Sequence, residues 1–396
     1  MISKTAFKFS VSITATLFFL VGFHASAQDI YFPDSGGKWE TRTPEQVGMN
    51  ADKLNVAIEF AKSAASQDSK DLEQVITASF ANEPLNTIIG PTQPRGDANG
   101  MIVRSGYIVA EWGDTERVDM TFSVTKSYLS TVAGLALDDK LIRDVKDPLA
   151  IYVRDGKFDS EHNAPITWEH LLQQTSDWSG ELWDKPDWCD RPIGRDPEKW
   201  ASREMHVPGT HFKYNDVRVN LLGYCLTNVW REPLPVVLRR RIMDPIGASP
   251  TWRWHGYENS WITLDGQKIQ SVSGGGHWGG GMFISTRDHA RFGYLFLRKG
   301  NWNGKQLIST DWIDSLRKPS EANAEYGYMW WLNPDRKKFP NAPESCFYAS
   351  GFGGNYIYVD PENDLLIVLR WTPDATGVVQ RVLESIDNRW PVNLAN

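Results

Sequence analysis

Residues 120–134 read Met-Thr-Phe-Ser-Val-Thr-Lys-Ser-Tyr-Leu-Ser-Thr-Val-Ala-Gly, which places Ser123 three positions before Lys126. The run predicts a buried helix that starts near Ser123 and continues to about Leu137. Residues three apart share a helix face, so the lysine nitrogen can reach the serine oxygen. A serine hydroxyl is a weak nucleophile until a base takes its proton. A lysine acts as that base when burial or nearby positive charge lowers its pKa. Phe122, Val124, Leu129, Val132 and Ala133 supply apolar surroundings. Ser130, Ala133, Gly134 and Ala136 are small, so other elements can pack close to the helix.

The spacing alone has little specificity, because it occurs three times in the chain. Ser35-Gly-Gly-Lys38 sits in a glycine-rich stretch that opens a helix poorly. Ser315-Leu-Arg-Lys318 runs into Pro319, which puts its lysine at a helix end. Only Ser123 is followed by a long helical run.

Outward from this helix, Met101–Trp112 predicts a hairpin turning at Ser105-Gly106, and Ala51–Ser66 has helical periodicity. Residues 139–265 read as loops and helices rich in Pro, Trp and charge, with helices over 166–174 and 217–230. Strand signals return after Gln270, at Met282–Ser285 and at two antiparallel strands joined at Pro361–Asp364. Helices are expected over 288–298 and 376–388. Strands at both ends with helices between predict an α/β fold, an α+β sandwich in which an antiparallel sheet is flanked by helices. The expected boundaries are an α/β part over 28–120 and 266–396 and a mostly helical part over 121–265, with an active site at their junction. Gly274-Gly-Gly-His-Trp-Gly279 fits Gly-x-Gly-x-x-Gly. It precedes a strand instead of opening a helix, so it reads as a tight connection and not as a dinucleotide loop.

The chain has 396 residues and a net charge of −7, which argues against a nucleic-acid role. Lys4 and Lys8, the apolar run Phe9–Phe23 and Ala25-Ser-Ala27 predict a secretory signal peptide over 1–27. No cysteine follows that run, which argues against a lipid anchor. The mature protein, residues 28–396, is expected to be periplasmic or secreted, with no membrane association after cleavage. Of the three cysteines, Cys189, Cys225 and Cys346, at least one must be unpaired. No Cys/His set has zinc spacing, and His206 and His211, flanking a Pro-Gly turn, read as structural. Trp178, Trp183, Trp188, Trp252, Trp254 and Trp278 have no periodic spacing and read as packing residues.

A lysine-activated serine calls for a second proton-handling group. Pro208-Gly-Thr-His-Phe-Lys-Tyr-Asn-Asp216 offers Tyr214, held at a corner before a helix that Asn215 or Asp216 can cap. A tyrosine oxygen beside an ammonium can shuttle protons. Ser123-x-x-Lys126, Pro208-Gly-x-x-Phe-x-Tyr214-x-Asp216 and the glycine-rich strand entry near Gly279 together resemble the serine β-lactamase superfamily in order and spacing. Closest in pattern are its class C-like branch, the family VIII carboxylesterases and the 6-aminohexanoate-dimer hydrolases. The tyrosine motif of that superfamily is usually Tyr-x-Asn, whereas here the third position is Asp216. A literal Tyr257-Glu-Asn259 lacks the Pro-Gly-x-x-Phe approach, so Tyr214 is preferred.

The resemblance implies a third motif, Lys-Thr-Gly or a His variant, on a strand edging the site. The corresponding stretch is Tyr348-Ala-Ser-Gly-Phe352, with Ala349 in the cation's place and Ser350 and Gly351 after it. That cation helps bind a substrate carboxylate, so its loss favours an esterase or amidase over a β-lactamase or D-alanyl peptidase. Lys213, Arg218 and His277 are the candidates to replace it. The implied mechanism is an acyl-enzyme on Ser123, with Lys126 and Tyr214 moving protons. The oxyanion would lie between the backbone N–H groups of Ser123 and Phe352. Asp216 would orient neighbours or touch substrate. No metal or cofactor is called for, and the expected partner is a small-molecule ester or amide. A catalytically silent binding or sensor domain on the same scaffold is the competing class.

Overall fold

The computed structural model describes residue 1, residues 30–36 and residues 38–387. Apart from Met1, the predicted signal peptide lies outside the described residues. At the centre is a six-stranded antiparallel sheet. Its order is Trp331–Leu332, Phe347–Gly351, Asn355–Asp360, Leu365–Arg370, Asn99–Arg104, Tyr107–Trp112. The two hairpins are those predicted. One turns at Ser105-Gly106, and the other joins Asp360 to Leu365.

Alternation along the strands builds two cores. Met101, Val103, Ile357, Val359, Leu366 and Val368 point to one face, under the helix Thr286–Leu297. Ile102, Tyr358, Leu365, Ile367 and Leu369 point to the other, with Leu54, Ala57 and Val378 of the helices Ala51–Ser63 and Ala375–Glu384. With both faces covered, Leu365–Leu369 becomes a continuous apolar run. A one-residue slip would exchange its two faces, so burial fixes the register. Gly293 lets the Thr286–Leu297 helix approach closely: a Cβ there would lie 2.5 Å from Leu366 Cδ1 and 2.8 Å from Ile357 Cγ2. This is the antiparallel sheet flanked by helices that the sequence predicts, in a β-lactamase/transpeptidase-like arrangement.

A second sheet runs Asp119–Met120, Gly281–Ile284, Arg253–Leu264, Gln267–Val272. The long hairpin Arg253–Val272 departs from the expectation of loops and helices up to residue 265. It turns at Asp265-Gly266, both with positive φ (54° and 77°), the pairing that two-residue hairpins favour. Its outer residues are exposed and its register shifts between Gly256 and Trp261, which blurs the strand pattern. The helix Leu72–Ser79, capped by Asp71, was likewise not anticipated. No described helix is long and apolar enough to cross a membrane.

The helix Thr125–Asp138 is buried from Thr125 to Ala136. It packs against the helix Asp216–Trp230 and the strand Phe347–Gly351, whose last residues run past the short edge strand Trp331–Leu332 and edge the site. Ser123 sits on the turn that feeds this helix, where the sheets and the helical layer meet.

Candidate active site

Ser123 is held by a turn with a strained residue immediately before it. Phe122 has φ +51°, a left-handed conformation that bulky side chains adopt only when the surroundings enforce it. Its ring packs against Phe352 at 5.2 Å and edge-on to Trp371 at 6.3 Å. Thr121 N–H donates to Met282 O (2.9 Å), and Arg370 Nη2 donates to Met120 O (3.0 Å). Thr121 Oγ1 also meets His289 Nε2 at 2.8 Å, while Tyr128 Oη meets His289 Nδ1 at the same distance. Burial, reinforced by Arg370, pushes the His289 pKa well below its ordinary value. A neutral ring can donate through one nitrogen and accept through the other, as this chain of contacts needs.

Lys126 lies one helical turn on, 1% exposed, and donates from Nζ to Ser123 Oγ at 3.0 Å. Its second partner is Asp216, also 1% exposed, whose Oδ1 lies 2.5 Å from Nζ. Burial acts to lower the lysine pKa, but the Asp216 carboxylate and Tyr214 together outweigh it and the net shift is upward. Asp216 is correspondingly held below the carboxylate range despite its burial, by Lys126 first and then Arg191. This corrects the expectation that the lysine pKa is lowered. The resting pair is ammonium and carboxylate, and Lys126 presents a proton to Ser123 Oγ.

Asp216 reaches this position because it is not the helix cap. Asn215 caps the helix Asp216–Trp230, accepting the Arg218 N–H at 3.0 Å. Asn215 N–H donates to Gln174 Oε1 and its amide to Asp187 O, which fixes the corner. Tyr214, half-buried just before it, places its ring 4.7 Å from Lys126 Nζ and stacks on Trp331 at 5.8 Å. Tyr214 Oη makes no hydrogen bond among the described residues. The rival Tyr257 is buried, with its hydroxyl near Asn220 (3.2 Å) and Ser273 (3.1 Å), and Asn259 holds Trp183 and Asp184.

The edge strand closes the other side. A Cβ on Gly351 would overlap Thr121 O and lie 3.3 Å from Val124 N, so the strand end abuts the Ser123 turn. Ser350, Gly351 and Phe352 line a cleft of about 460 Å³ with Ser123 and Tyr214. Ala349 is buried in the core and offers no cation. None of the three suggested replacements lines the cleft. Lys213 Nζ bonds Arg191 O, Arg218 lies between Asp177 and Asp187, and His277 Nε2 meets Glu83 at 2.7 Å.

The cation that does line the cleft is Arg191, which sequence reasoning missed. Its Nη1 bridges Asp190 Oδ1 (2.5 Å) and Asp216 Oδ2 (3.2 Å), and Asp190 also accepts the Asp216 N–H. No spacing connects Asp190-Arg191 to the serine motif, so no sequence signal could have found it. Glu83, Asp190 and His277 bring ligand atoms within 4.8 Å of one another, a spacing a metal could use. His277 Nδ1 is 3.8 Å from both Asp190 Oδ1 and Asp216 Oδ2. Those two oxygens already share the Arg191 guanidinium, so the protein supplies its own cation there. The glycine-rich stretch has a packing role: a Cβ on Gly275 would overlap Asp216 Oδ1 and Lys126 Nζ.

The chain is similar to several known proteins. An uncharacterised protein of Alkalihalophilus pseudofirmus is 29% identical over 347 residues, covering 75% of this chain and 90% of that protein. The 6-aminohexanoate-dimer hydrolase of Paenarthrobacter ureafaciens is 24% identical over 297 residues, 68% of this chain and 69% of the relative. Proteins of Escherichia coli match over 197 residues, so the chain spans 45% of their length. The crystal structure of a family VIII carboxylesterase superposes with a TM-score of 0.57 at 16% identity, covering 86% of this chain and 99% of that one. The Beta-lactamase family profile matches residues 101–380, a span that holds Ser123, Lys126, Tyr214, Asp216 and the edge strand, and the chain is a member of the Beta-lactamase family.

Proposed function

We propose that this β-lactamase-family hydrolase is a serine carboxylesterase or amidase that works through an acyl-enzyme on Ser123. The observation that carries the proposal is the buried Lys126 Nζ donating to Ser123 Oγ at 3.0 Å, at the wall of an open cleft. Ser123 Oγ attacks the ester or amide carbonyl. Lys126, protonated at rest by its pairing with Asp216, steadies the developing alkoxide. Tyr214 acts as a relay, accepting the serine proton while its own hydroxyl proton passes to the departing alcohol or amine. The carbonyl oxygen gathers charge between the Ser123 and Phe352 N–H groups, a pairing that the close approach of Gly351 to the Ser123 turn supports. Water then attacks the acyl carbonyl, its proton passing through the same tyrosine to Ser123 Oγ as the serine–acyl bond breaks and the acid is freed. The relative from Paenarthrobacter ureafaciens, a 6-aminohexanoate-dimer hydrolase, supports a hydrolytic role, as do the D-alanyl-D-alanine carboxypeptidase names of the Escherichia coli relatives, which keep that peptidase class as the rival reading. With no cation at Ala349, a β-lactam or D-alanyl peptide would need its carboxylate held from elsewhere in the cleft. Small-molecule esters or amides outside the cytoplasm are the proposed substrates, after removal of residues 1–27.

Hydrolysis of a short p-nitrophenyl ester and of nitrocefin, by mature wild type and Ser123→Ala, tests the proposal. Ester turnover that disappears in the variant, with nitrocefin untouched, is expected. Strong nitrocefin turnover would make a β-lactamase of it. Failure of a fluorophosphonate to label Ser123 would point to a silent binding domain.

A further inference from the structure

The catalytic cleft has two charged side chains on its lining, Asp68 and Arg191. Arg191 is held unusually firmly for a residue 35% exposed. Its backbone is left-handed (φ +49°) and its carbonyl receives Lys213 Nζ. Its guanidinium carbon lies 5.3 Å from the Tyr214 ring centre and 5.9 Å from that of Phe80. The two carboxylates, which outweigh its burial, hold its pKa above the ordinary arginine value. Every hydrogen bond it makes among the described residues uses Nη1, on Asp190 and Asp216. The Nε and Nη2 edge is left without a protein acceptor. That edge carries parallel N–H groups in the geometry a carboxylate accepts as a pair.

We infer that Arg191 is a substrate anchor: the cleft takes esters or amides that carry a free carboxylate, which Arg191 holds through Nε and Nη2 while Ser123 attacks the carbonyl. The inference rests on the acyl-enzyme proposal and narrows its substrate class. It moves the anion-binding role from the edge strand, where Ala349 cannot serve, to the loop on the opposite side of Tyr214. Lys126 and Arg191 balance Asp190 and Asp216, so recognition comes from the hydrogen-bond fork and not from a net positive field. With Asp68 also on the lining, a monoanion is favoured over a dianion such as phosphate. A preference of roughly 10- to 100-fold follows for a pair of charge-assisted hydrogen bonds.

The test compares mono-p-nitrophenyl glutarate with its methyl-capped counterpart, which differ only in the distal charge. Wild type is expected to show kcat/KM about 10- to 100-fold higher for the free acid. Arg191→Gln should erase that ratio, and Arg191→Lys should keep part of it. An equal kcat/KM for both esters in wild type would overturn the inference. So would a ratio unchanged in Arg191→Gln, or a parallel loss on both esters with the ratio kept, which marks a purely structural arginine. Turnover that survives in Ser123→Ala defeats the acyl-enzyme proposal instead. Calorimetric binding of butyrate, a monoanion, reads the anchor without turnover: binding lost in Arg191→Gln but kept in Ser123→Ala supports it, and binding unaffected by Arg191→Gln refutes it.

Discussion

Replacing Asp216 by Asn tests the electrostatic logic of the site directly, because the two side chains have nearly the same shape and differ in charge. In the wild type, the upward shift of Lys126 comes from the Asp216 carboxylate against an opposing contribution from burial. The Asn variant keeps the burial and the Arg191 charge, both of which act downward, against the smaller upward influence of Tyr214, and loses the carboxylate. Lys126 is then expected to shed its proton on folding at neutral pH. The cost at pH 7 is the free energy of deprotonating an ordinary lysine, (10.4 − 7) × 1.36, or about 4–5 kcal/mol. That agrees with the ~3–5 kcal/mol typical of breaking a buried pair by removing one partner. The pH dependence has a definite sign. In the wild type, the depressed carboxylate contributes stability that is lost only as pH falls through its folded pKa, below the ordinary range. The raised lysine contributes stability that is lost only as pH rises through its folded pKa, above the ordinary range. Between those limits the pair adds no slope. In the variant the unfolded chain binds one more proton than the folded one, so its stability rises by about 1.4 kcal/mol per pH unit relative to wild type. Urea unfolding followed by tryptophan fluorescence, at pH 7, 8 and 9, should show the deficit shrinking from about 4–5 to about 2 kcal/mol. A deficit that stays constant across that range would show that Lys126 remains charged without Asp216, and the account of its protonation would be wrong.

Three further outcomes follow from the geometry. Tyr214→Phe should lower kcat by about 10²- to 10⁴-fold while changing stability by no more than roughly 0.5 kcal/mol, since Oη has no hydrogen-bond partner among the described residues to lose; ester kinetics and urea melts check both halves. Gly275→Ala drives a methyl group between Asp216 and Lys126 and should cost at least tenfold in kcat/KM through the displaced ammonium, with about 1–3 kcal/mol of overpacking strain. Gly293→Ala sits far from the serine but puts its Cβ 2.5 Å from Leu366 Cδ1, so the same ~1–3 kcal/mol should appear in unfolding with KM unchanged.

What could be read from the chain, and what could not, divides along a physical line. Local periodicity carried the helices Ala51–Ser63, Asp216–Trp230 and Thr286–Leu297 and the sheet hairpins, because each buries a face whose spacing is written in consecutive residues. The Arg253–Val272 hairpin escaped because its outer face is exposed and its register shifts midway, which breaks the alternation; its one clear signal was Asp265-Gly266. The site divides in the same way. Ser123 and Lys126 share a helical turn, so their contact follows from a spacing of three. The sign of the lysine's pKa shift depends on Asp216, 90 residues away in sequence, and on which of two adjacent residues caps a helix. Asn215 and Asp216 are both competent caps, and only the tertiary contact of Asn215 with Gln174 and Asp187 decides between them. Arg191 belongs to no repeating pattern: a loop brings it to Asp190 and Asp216, and that pairing is what turns an ordinary surface charge into an oriented one. The serine–lysine pair was therefore legible in the sequence, while the charge state of the lysine and the orientation of Arg191 are properties of the packed molecule.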